Sequence, residues 1–324
     1  MVLPLKMSTF SSSHPDLMAI INIIIIIALS AAAPGLGFFF LALLPALLFF
    51  YSATLGKFKV SLMFLVSFFG CWAVSSLLNL YFHPLSVFLI GLTGMTIAEI
   101  SNRQININKI VMYPPLLIIF LVAAYLILPG LEQNETPWEL LKGYAGKQID
   151  DTWNIFMQFP LAKEDIDFFK QNELAVKSAF LKILPALTVC STVFLVWINV
   201  ILGKFFLQKN GVSLDHLAGL SEWKAPEKLI WLFILSGAAS FLPHPDISFF
   251  SVNVFLISSF IYVFQGFAII SCLFRNKSVP VFFRYLFYIF VAVEPFLMIA
   301  ITIIGLFDLW IDFRRFFVKK QESP

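Results

Sequence analysis

The residues that could do chemistry in this sequence are polar side chains that interrupt long apolar runs. Glu294 lies within such a run, directly before Pro295, and Gln265 and Asn253 lie within the preceding run. An ionisable group costs free energy in hydrocarbon, which makes Glu294 a candidate for holding a proton, a cation or a polar ligand. Carboxamides at such positions either join neighbouring helices or line a polar cavity. We therefore predict a ligand-binding site formed by Glu294, Gln265 and Asn253, with interhelical hydrogen bonding as the alternative role.

A second group of polar residues lies near the C-terminus. Asp308, Asp312 and Arg315 follow one another at intervals of four and three residues, and Trp310 lies between the two acids. On a helix the three charged residues would share one face, with Asp312 paired to Arg315 and Asp308 directed towards the bundle. Trp310 is typical of the interface between membrane and water. We interpret this group as a structural or interface motif at a helix end, in preference to a catalytic site.

Motifs for enzymatic chemistry are missing from the sequence. It contains no phosphate-binding loop, nucleophile elbow, zinc-protease motif, dinucleotide fingerprint or Cys-x-x-Cys pair. Cys71, Cys190 and Cys272 are far apart within apolar stretches, and the four histidines do not cluster. We predict that the protein is not an enzyme and holds no metal or cofactor. Because no long basic run is present, nucleic acid is not expected as a partner.

The elements that carry these residues are predicted to be transmembrane helices. Hydrophobic residues make up 60% of the chain and charged residues 13%, with a mean hydropathy of +0.89, whereas soluble domains carry about 25% charged residues. A helix needs about 20 apolar residues to cross the hydrocarbon core, and continuous apolar runs favour helices over the alternating strands of a barrel. We predict an all-α polytopic transmembrane bundle of about eight or nine helices from the apolar segments near 17–33, 37–55, 60–80, 84–100, 110–129, 178–203, 229–243, 249–274 and 280–310.

Basic residues in the loops predict the orientation of the chain. Lys and Arg are concentrated after the second, fourth, sixth and eighth apolar segments, and the positive-inside rule assigns these loops to the cytoplasm. The C-terminal tail also favours the cytoplasm through Arg314, Arg315, Lys319 and Lys320. Nine simple crossings from an inside N-terminus would place that tail outside. We therefore predict that Pro295 breaks the last segment, because proline removes a backbone hydrogen bond, and the side of the C-terminus stays open.

Three regions are predicted along the chain. Residues 1–129 form an N-terminal membrane region of five helices, residues 130–177 an extracytoplasmic loop, and residues 178–324 a C-terminal membrane region with a basic cytoplasmic tail. The loop combines acidic residues with aromatic residues at helical spacing, which predicts two amphipathic helices. These helices could lie on the bilayer surface, cap the bundle, or close over a substrate site as a lid.

Short motifs are spread over nearly the whole chain. They are Leu44-Pro45-Ala46-Leu47 with Gly56, Leu184-Pro185-Ala186-Leu187, Trp197 to Gly203, Trp223-Lys224-Ala225-Pro226, Gln265-Gly266 and, as the most specific, Gly305 to Arg314. In these motifs the chain resembles the YybS-like family of bacterial multi-pass membrane proteins. The resemblance implies a protein of the bacterial cytoplasmic membrane and no particular substrate, because that family is uncharacterised. More distantly, the first five segments are similar to substrate-binding subunits of energy-coupling-factor transporters and to the rod-shape protein MreD.

These observations lead to two functional hypotheses for a protein of the lipid bilayer. The first is a small-molecule binding or transport subunit. Because the sequence has no nucleotide site, such a subunit would need a separate ATPase or another membrane partner subunit. The second is a non-transporting scaffold for envelope-associated machinery, which needs contact surfaces but no internal cavity.

Overall fold

The computed structural model describes residues 14–32, 36–80, 82–103, 107–158, 163–212 and 223–316, and regular structure within these ranges is entirely helical. The first helices are α1 (Pro15–Ala32), α2 (Gly37–Leu41), α3 (Leu44–Leu55), α4 (Lys57–Leu77), α5 (Pro84–Asn102) and α6 (Ile107–Gln133). They are followed by α7 (Pro137–Phe156), α8 (Lys163–Gln171), α9 (Glu173–Lys209), α10 (Leu229–Ala239), α11 (Pro245–Asn276), α12 (Val281–Val293), α13 (Pro295–Ile311) and a 3₁₀ turn (Phe313–Phe316). The all-α prediction is therefore confirmed.

Most of these helices are long and apolar enough to cross a membrane. Seven stretches of the described residues meet both criteria, and one of them, Gly37–Leu55, consists of α2 and α3 together. Counted as one bent span, α12 and α13 form an eighth. α10 is apolar but has 11 residues, about 16 Å at the helical rise, which is well short of a hydrocarbon core of about 30 Å. The chain is thus a polytopic membrane protein, as predicted.

The last predicted segment is broken at Glu294. This residue has extended backbone angles (φ −102°, ψ 104°), and the helices on either side of it, α12 and α13, are bent by 106°. Pro295 lies in the first turn of α13, where a missing N–H and a fixed φ are tolerated. The predicted proline break is therefore confirmed, and the pair is either a broken span or a re-entrant loop. The side of the C-terminus stays a prediction.

The chain divides into two compact units. The first comprises Met1–Ala123 and Ser191–Ala218, and the second comprises Ala124–Cys190 and Gly219–Pro324. Two of the boundaries fall inside helices, namely α6 and α9. The regions predicted from hydropathy, 1–129, 130–177 and 178–324, stay a prediction.

The first unit packs around a core of aliphatic and phenyl side chains from α1, α3, α4, α5 and the C-terminal part of α9. α3 lies close against α5 because Gly94 faces Pro45, and a Cβ on Gly94 would come within 2.7 Å of the Pro45 Cα atom. The side chains of Leu48 and Phe64 are almost completely buried beside this contact. This packing holds α3, α4 and α5 against one another.

The second unit is centred on α11, against which α10 and α13 both pack. Gly266 of α11 and Gly305 of α13 bring these two helices together. A Cβ on Gly305 would overlap the carbonyl oxygen of Tyr262, and a Cβ on Gly266 would overlap that of Ile301. Small residues permit such close approach of helices in a membrane. The crossing therefore places the polar residues next to these glycines within reach of one another.

The segment between α6 and α9 contains the two helices predicted for it. α7 begins with a capping box in which Thr136 Oγ1 accepts the Glu139 N–H at 3.2 Å and the Glu139 carboxylate accepts the Thr136 N–H at 2.7 Å. The backbone hydrogen bond from Thr136 lowers the pKa of the Glu139 carboxyl. Trp153 of α7 packs edge to face against Phe169 of α8. Phe159, predicted to share this apolar face, lies outside the described residues, and the lid role stays a prediction.

Candidate functional site

A buried polar cluster lies where α13 ends beside α11. Asp308, one turn beyond Gly305, is only 2% exposed, and Gln265 Nε2 donates a hydrogen bond of 3.1 Å to its carboxylate. The other carboxylate oxygen accepts the N–H of Phe313 at 3.0 Å. Asp312, which lies between Asp308 and Phe313 in the sequence, has a left-handed backbone conformation (φ 45°). The protein thus satisfies a carboxylate that would cost roughly 1–3 kcal/mol or more if it were buried without partners.

The same cluster holds the chain segment that precedes α10. Gln265 Oε1 accepts the N–H of Ala225 at 3.0 Å. Arg314 donates to the carbonyl oxygen of Trp223 at 2.7 Å, across 91 residues of sequence, and its guanidinium lies 3.9 Å from the Asp308 carboxylate. The sequence motifs around Trp223, Gln265 and Arg314 therefore meet in one place.

Asp312 forms the exposed edge of the cluster. Its carboxylate pairs with Lys224 at 3.2 Å and with Arg315 at 2.7 Å, and the second of these pairs confirms the prediction. The hydrogen bond from Lys224, with a smaller contribution from Arg315, lowers the pKa of the Asp312 carboxyl. Among the residues that the structure describes, no three His, Cys, Asp or Glu side chains are grouped so that they could hold a metal ion.

The end of α13 differs from the predicted geometry. The helix stops at Ile311, so Asp308, Asp312 and Arg315 do not share one face of a continuous helix, and that part of the prediction is wrong. The physical reason is the side chain of Asp308, which takes the Phe313 N–H that the next helical turn would otherwise use. Asp308 does point inwards as predicted, while Trp310 remains 63% exposed. The interface role of these residues stays a prediction.

A buried asparagine joins two helices of the first unit. Asn199 of α9 accepts the N–H of Ala46 at 2.8 Å and donates to the carbonyl oxygens of Ala42 at 2.8 Å and Leu195 at 2.7 Å. In an uninterrupted helix the N–H of Ala46 would donate to the carbonyl oxygen of Ala42. The carboxamide therefore inserts into the helix next to Pro45. We call this arrangement a carboxamide clasp.

The second unit contains the same arrangement. Asn253 of α11 accepts the N–H of Ala186 at 2.8 Å and donates to the carbonyl oxygens of Lys182 and Phe249, both at 2.8 Å. Ala186 follows Pro185 in the second Leu-Pro-Ala-Leu motif, in the same position as the clasped alanine of the first motif. The two motifs are thus two copies of one arrangement, in which a proline-containing helix is bonded by an asparagine of another helix.

The three residues predicted to bind a ligand are not joined in the structure. Asn253 and Gln265 are 12 residues apart on α11, about 18 Å along the helix, and each amide bonds to the backbone of a different segment. Glu294 is exposed at the bend between α12 and α13. The oxygen of each amide already accepts a backbone N–H. The binding role of these residues stays a prediction.

A cavity that sequence reasoning missed lies between α3, α4 and α5 and is wide open to the surface at Lys57 and Phe58. It has a volume of 360 Å³ and is lined by Ser52, Lys57, Phe58, Ser61, Met95, Thr96 and Glu99. Ser52 is only 4% exposed, and its hydroxyl has no hydrogen-bond partner among the described residues. At the edge of the cavity, the Lys57 ammonium lies 2.7 Å from the Glu99 carboxylate. The buried hydroxyl offers both a donor and an acceptor to a bound molecule.

Comparison with known proteins places the chain in a family. The sequence profile of the family described as Predicted membrane protein (DUF2232) matches residues 19–309. The chain belongs to this family. The resemblance to an uncharacterised family of multi-pass membrane proteins is therefore confirmed, and the matched range includes the cavity, both clasps and Asp308. No curated protein matches the chain, and no solved structure does.

In this DUF2232 protein, the carboxamide clasps and the α3–α4–α5 cavity differ in how far they could be predicted from the sequence. The clasps could have been suspected from the repeated Leu-Pro-Ala-Leu motif, because proline frees backbone groups that a buried amide can bond. Ser52 gave no such signal, since a serine within an apolar helix normally donates to a carbonyl of its own helix. In the sequence, Lys57 is one of the basic loop residues that indicate orientation, and Glu99 at the end of an apolar run is typical of an interfacial anchor. Their neighbourhood depends on how α3, α4 and α5 pack.

Proposed function

We propose that this integral membrane protein binds a small molecule and acts as a subunit beside a partner that supplies energy. The observation that carries the proposal is the α3–α4–α5 cavity, where the hydroxyl of Ser52, a residue only 4% exposed, has no hydrogen-bond partner among the described residues. Ligand sites combine apolar walls with a few well-placed polar groups. This cavity has Phe58 and Met95 in its walls and the Lys57–Glu99 pair at its edge.

The proposed subunit has no energy source of its own. Its sequence lacks a nucleotide-binding loop, so directional movement of a ligand would depend on a separate ATPase or on a membrane partner driven by an ion gradient. We place the protein in the bacterial cytoplasmic membrane, with the lysine-bearing loops facing the cytoplasm. The role is binding without catalysis.

Thermal unfolding of the purified chain in detergent, measured with a panel of metabolites, tests this proposal. A ligand present at 100 times its Kd should stabilise the fold by about 2.7 kcal/mol. Ser52→Ala should reduce that stabilisation. Ser76→Ala is the matched control, because Ser76 is an exposed serine of α4 that bonds to its own helix. If no compound stabilises the protein, the proposal is overturned.

A scaffold for envelope-associated machinery is the second candidate, and the C-terminal cluster favours it. The bonds around Asp308 and Gln265 hold the backbone at the end of α13, next to an exposed Trp310 and the 83% exposed side chain of Arg315. Tryptophan and arginine on a rigid backbone are the residue types that dominate contacts between proteins.

A photo-crosslinking amino acid at Trp310 distinguishes the two candidates in cells. A scaffold should yield crosslinks to envelope-assembly proteins, whereas a transport subunit should yield crosslinks to an ATPase or another transport component. Leu235 on α10, which is also exposed, serves as the control position. Proteins that crosslink equally from Trp310 and from Leu235 are nonspecific neighbours and support neither candidate.

A further inference from the structure

We propose that the ligand of the α3–α4–α5 cavity is a small amphipathic anion whose carboxylate or phosphate head binds at Lys57 and the first turn of α4. The inference rests on the proposed binding function and names the chemical class of the ligand. Three independent features of the cavity carry it: an uncapped helix N-terminus, a surplus of positive charge, and the unused hydroxyl at a buried position of the wall.

The N-terminus of α4 opens at this cavity without a side-chain cap. The turn before the helix is made by Gly56, whose positive φ of 94° only glycine adopts readily. The N-cap residue of this 21-residue helix is Gly56 itself, which has no side chain to bond the first N–H groups. Such N–H groups and the helix dipole attract anions. Lys57 and Phe58, both in this first turn, line the cavity.

The charges at the cavity edge do not cancel. Glu99 is paired through one carboxylate oxygen with Lys57 at 2.7 Å and through the other with Arg103 at 2.7 Å. Two cations beside one carboxylate leave one positive charge in surplus. An ammonium has three N–H donors, and the Lys57 side chain, 66% exposed, donates one of them to Glu99. The remaining donors can bond to an anionic head without breaking the ion pair.

The walls of the cavity suit an apolar body with a second polar atom. Ser61 and Thr96 donate their hydroxyl hydrogens to carbonyl oxygens of their own helices, so they add little polarity beside Met95 and Phe58. The hydroxyl of Ser52, a residue 4% exposed, has no bond to any other residue that the structure describes and can pair with a polar atom of the ligand body. The volume of 360 Å³ is near the lower end of ligand sites, roughly 300–1,000 Å³. The ligand is therefore small.

A carboxylate or phosphate on an apolar body can belong to a free metabolite or to a membrane lipid. The purified full chain in a neutral detergent should be stabilised against heat by octanoate or octyl phosphate, and at equal concentrations octanol and octylamine should stabilise it less. In nanodiscs, the lipid source would appear as retention of phosphatidylglycerol over phosphatidylcholine by native mass spectrometry. Either source supports the proposal when the effect depends on Lys57.

The decisive variants are Lys57→Gln and Lys59→Gln. Lys57→Gln should weaken binding of the anionic probe about tenfold or more, equivalent to 1.4 kcal/mol. Lys59→Gln is the matched control, because Lys59 lies two residues further along α4, pairs with Asp16 at 2.6 Å and does not line the cavity. The affinity of Lys59→Gln for the probe should stay within about twofold of the wild type, because Lys59 lies outside the cavity although it carries the same charge on the same turn of helix.

The outcomes separate the ligand class from the function. Equal weakening by both lysine variants would overturn the proposal, because it would reflect general charge and not the cavity. Stabilisation by octanol as strong as by octanoate, and lost in Ser52→Ala, would overturn the anionic class but leave the binding function in place. If neither these probes nor any metabolite stabilises the protein, and no lipid is retained, both fail.

Discussion

At the scale of single residues, the carboxamide clasps explain how proline-containing helices remain bonded in lipid. A proline within a helix removes one backbone hydrogen bond and its ring pushes the preceding turn aside, which separates the neighbouring N–H and carbonyl as well. Hydrocarbon offers no replacement partner for such groups. Asn199 and Asn253 each bond to one N–H and one carbonyl beside a proline. Leucine is apolar and of comparable size, so substitution by leucine isolates the contribution of the amide.

Asn199→Leu and Asn253→Leu should each lower the free energy of unfolding by about 1–3 kcal/mol, because each leaves a buried N–H and a buried carbonyl without the amide. Asn210→Leu is the control, since Asn210 is exposed near the end of α9 and donates to Phe206 four residues before it. Denaturant or thermal unfolding in one detergent measures the difference. Unchanged stability in Asn199→Leu would show that Ala46 and Ala42 rebond directly, contrary to this expectation.

Asp312 should make the C-terminal cluster sensitive to acid. Its pKa lies below the ordinary value of about 3.9, chiefly because Lys224 donates a hydrogen bond to the carboxylate. A carboxyl with a lowered folded-state pKa contributes its full stability above the unfolded-state pKa and loses it as pH falls through the folded-state pKa.

The stability difference between the wild type and Asp312→Asn should therefore be constant near neutral pH and disappear in acid. It should stay below about 1 kcal/mol because the ion pairs are exposed. Unfolding measured from about pH 7 to about pH 2 spans both states of the carboxyl. A difference that persists undiminished at the acid end contradicts the expectation.

How far single residues could be predicted depended on the distance to their partners along the chain. The pairs Asp312–Arg315 and Glu99–Arg103 were predictable because their members are three and four residues apart. Asn199 bonds to an alanine 153 residues away, and no local pattern specifies such a distance. That the hydroxyl of Ser52 has no partner in the described part of the chain depends on how the neighbouring helices pack, which residue types alone do not encode.

At the scale of helices, two glycines set how closely α11 and α13 cross. Gly305→Ala should destabilise the fold by about 1–3 kcal/mol, because the added Cβ overlaps the carbonyl oxygen of Tyr262 and the helices must separate. Gly70→Ala is the matched control. Nothing lies within 4 Å of a Cβ at Gly70, so that change should be neutral or stabilise α4 by up to about 1 kcal/mol.

Thermal unfolding of the two alanine variants in the same detergent makes this comparison. A Gly305→Ala protein as stable as Gly70→Ala would mean that α13 can shift away from α11 without cost. The apolar runs were enough to predict that α11 and α13 exist, because hydropathy is local. Their crossing was not predictable, since Gly266 and Gly305 gain meaning only when they face each other.

The capping box of α7 should control local unfolding of the segment between α6 and α9. Thr136→Ala removes the oxygen that accepts the Glu139 N–H and should destabilise the start of α7 by about 1 kcal/mol. Limited proteolysis of the purified protein should then cut this segment several-fold faster. Thr152→Ala, an exposed threonine within α7, should leave the rate nearly unchanged. Equal rates in the two variants would refute the role of the cap.

At the scale of the whole molecule, the orientation predicted from charge awaits a direct test. In a variant without the native cysteines, a membrane-impermeant maleimide applied to intact cells should label Tyr144→Cys, an exposed position of α7, and should not label Lys277→Cys after α11. Arg315→Cys reports the side of the C-terminus, which distinguishes a re-entrant α12–α13 pair from a broken span. Labelling of both Tyr144→Cys and Lys277→Cys would show that α10 does not cross the membrane, because α9 and α11 alone would then separate the two positions. Labelling of Lys277→Cys without Tyr144→Cys would reverse the orientation.

The clasps also fix an order of events during synthesis of the chain. Ala46 is synthesised early, and Asn199, which bonds to it, follows 153 residues later. Asn253 follows its partner Ala186 after only 67 residues. At roughly 5–20 residues per second, the first delay is about 8–30 s. During that time the nascent first unit lacks one of its own hydrogen-bonding partners. The rate of translation therefore determines how long the backbone next to Pro45 lacks its hydrogen bonds to Asn199.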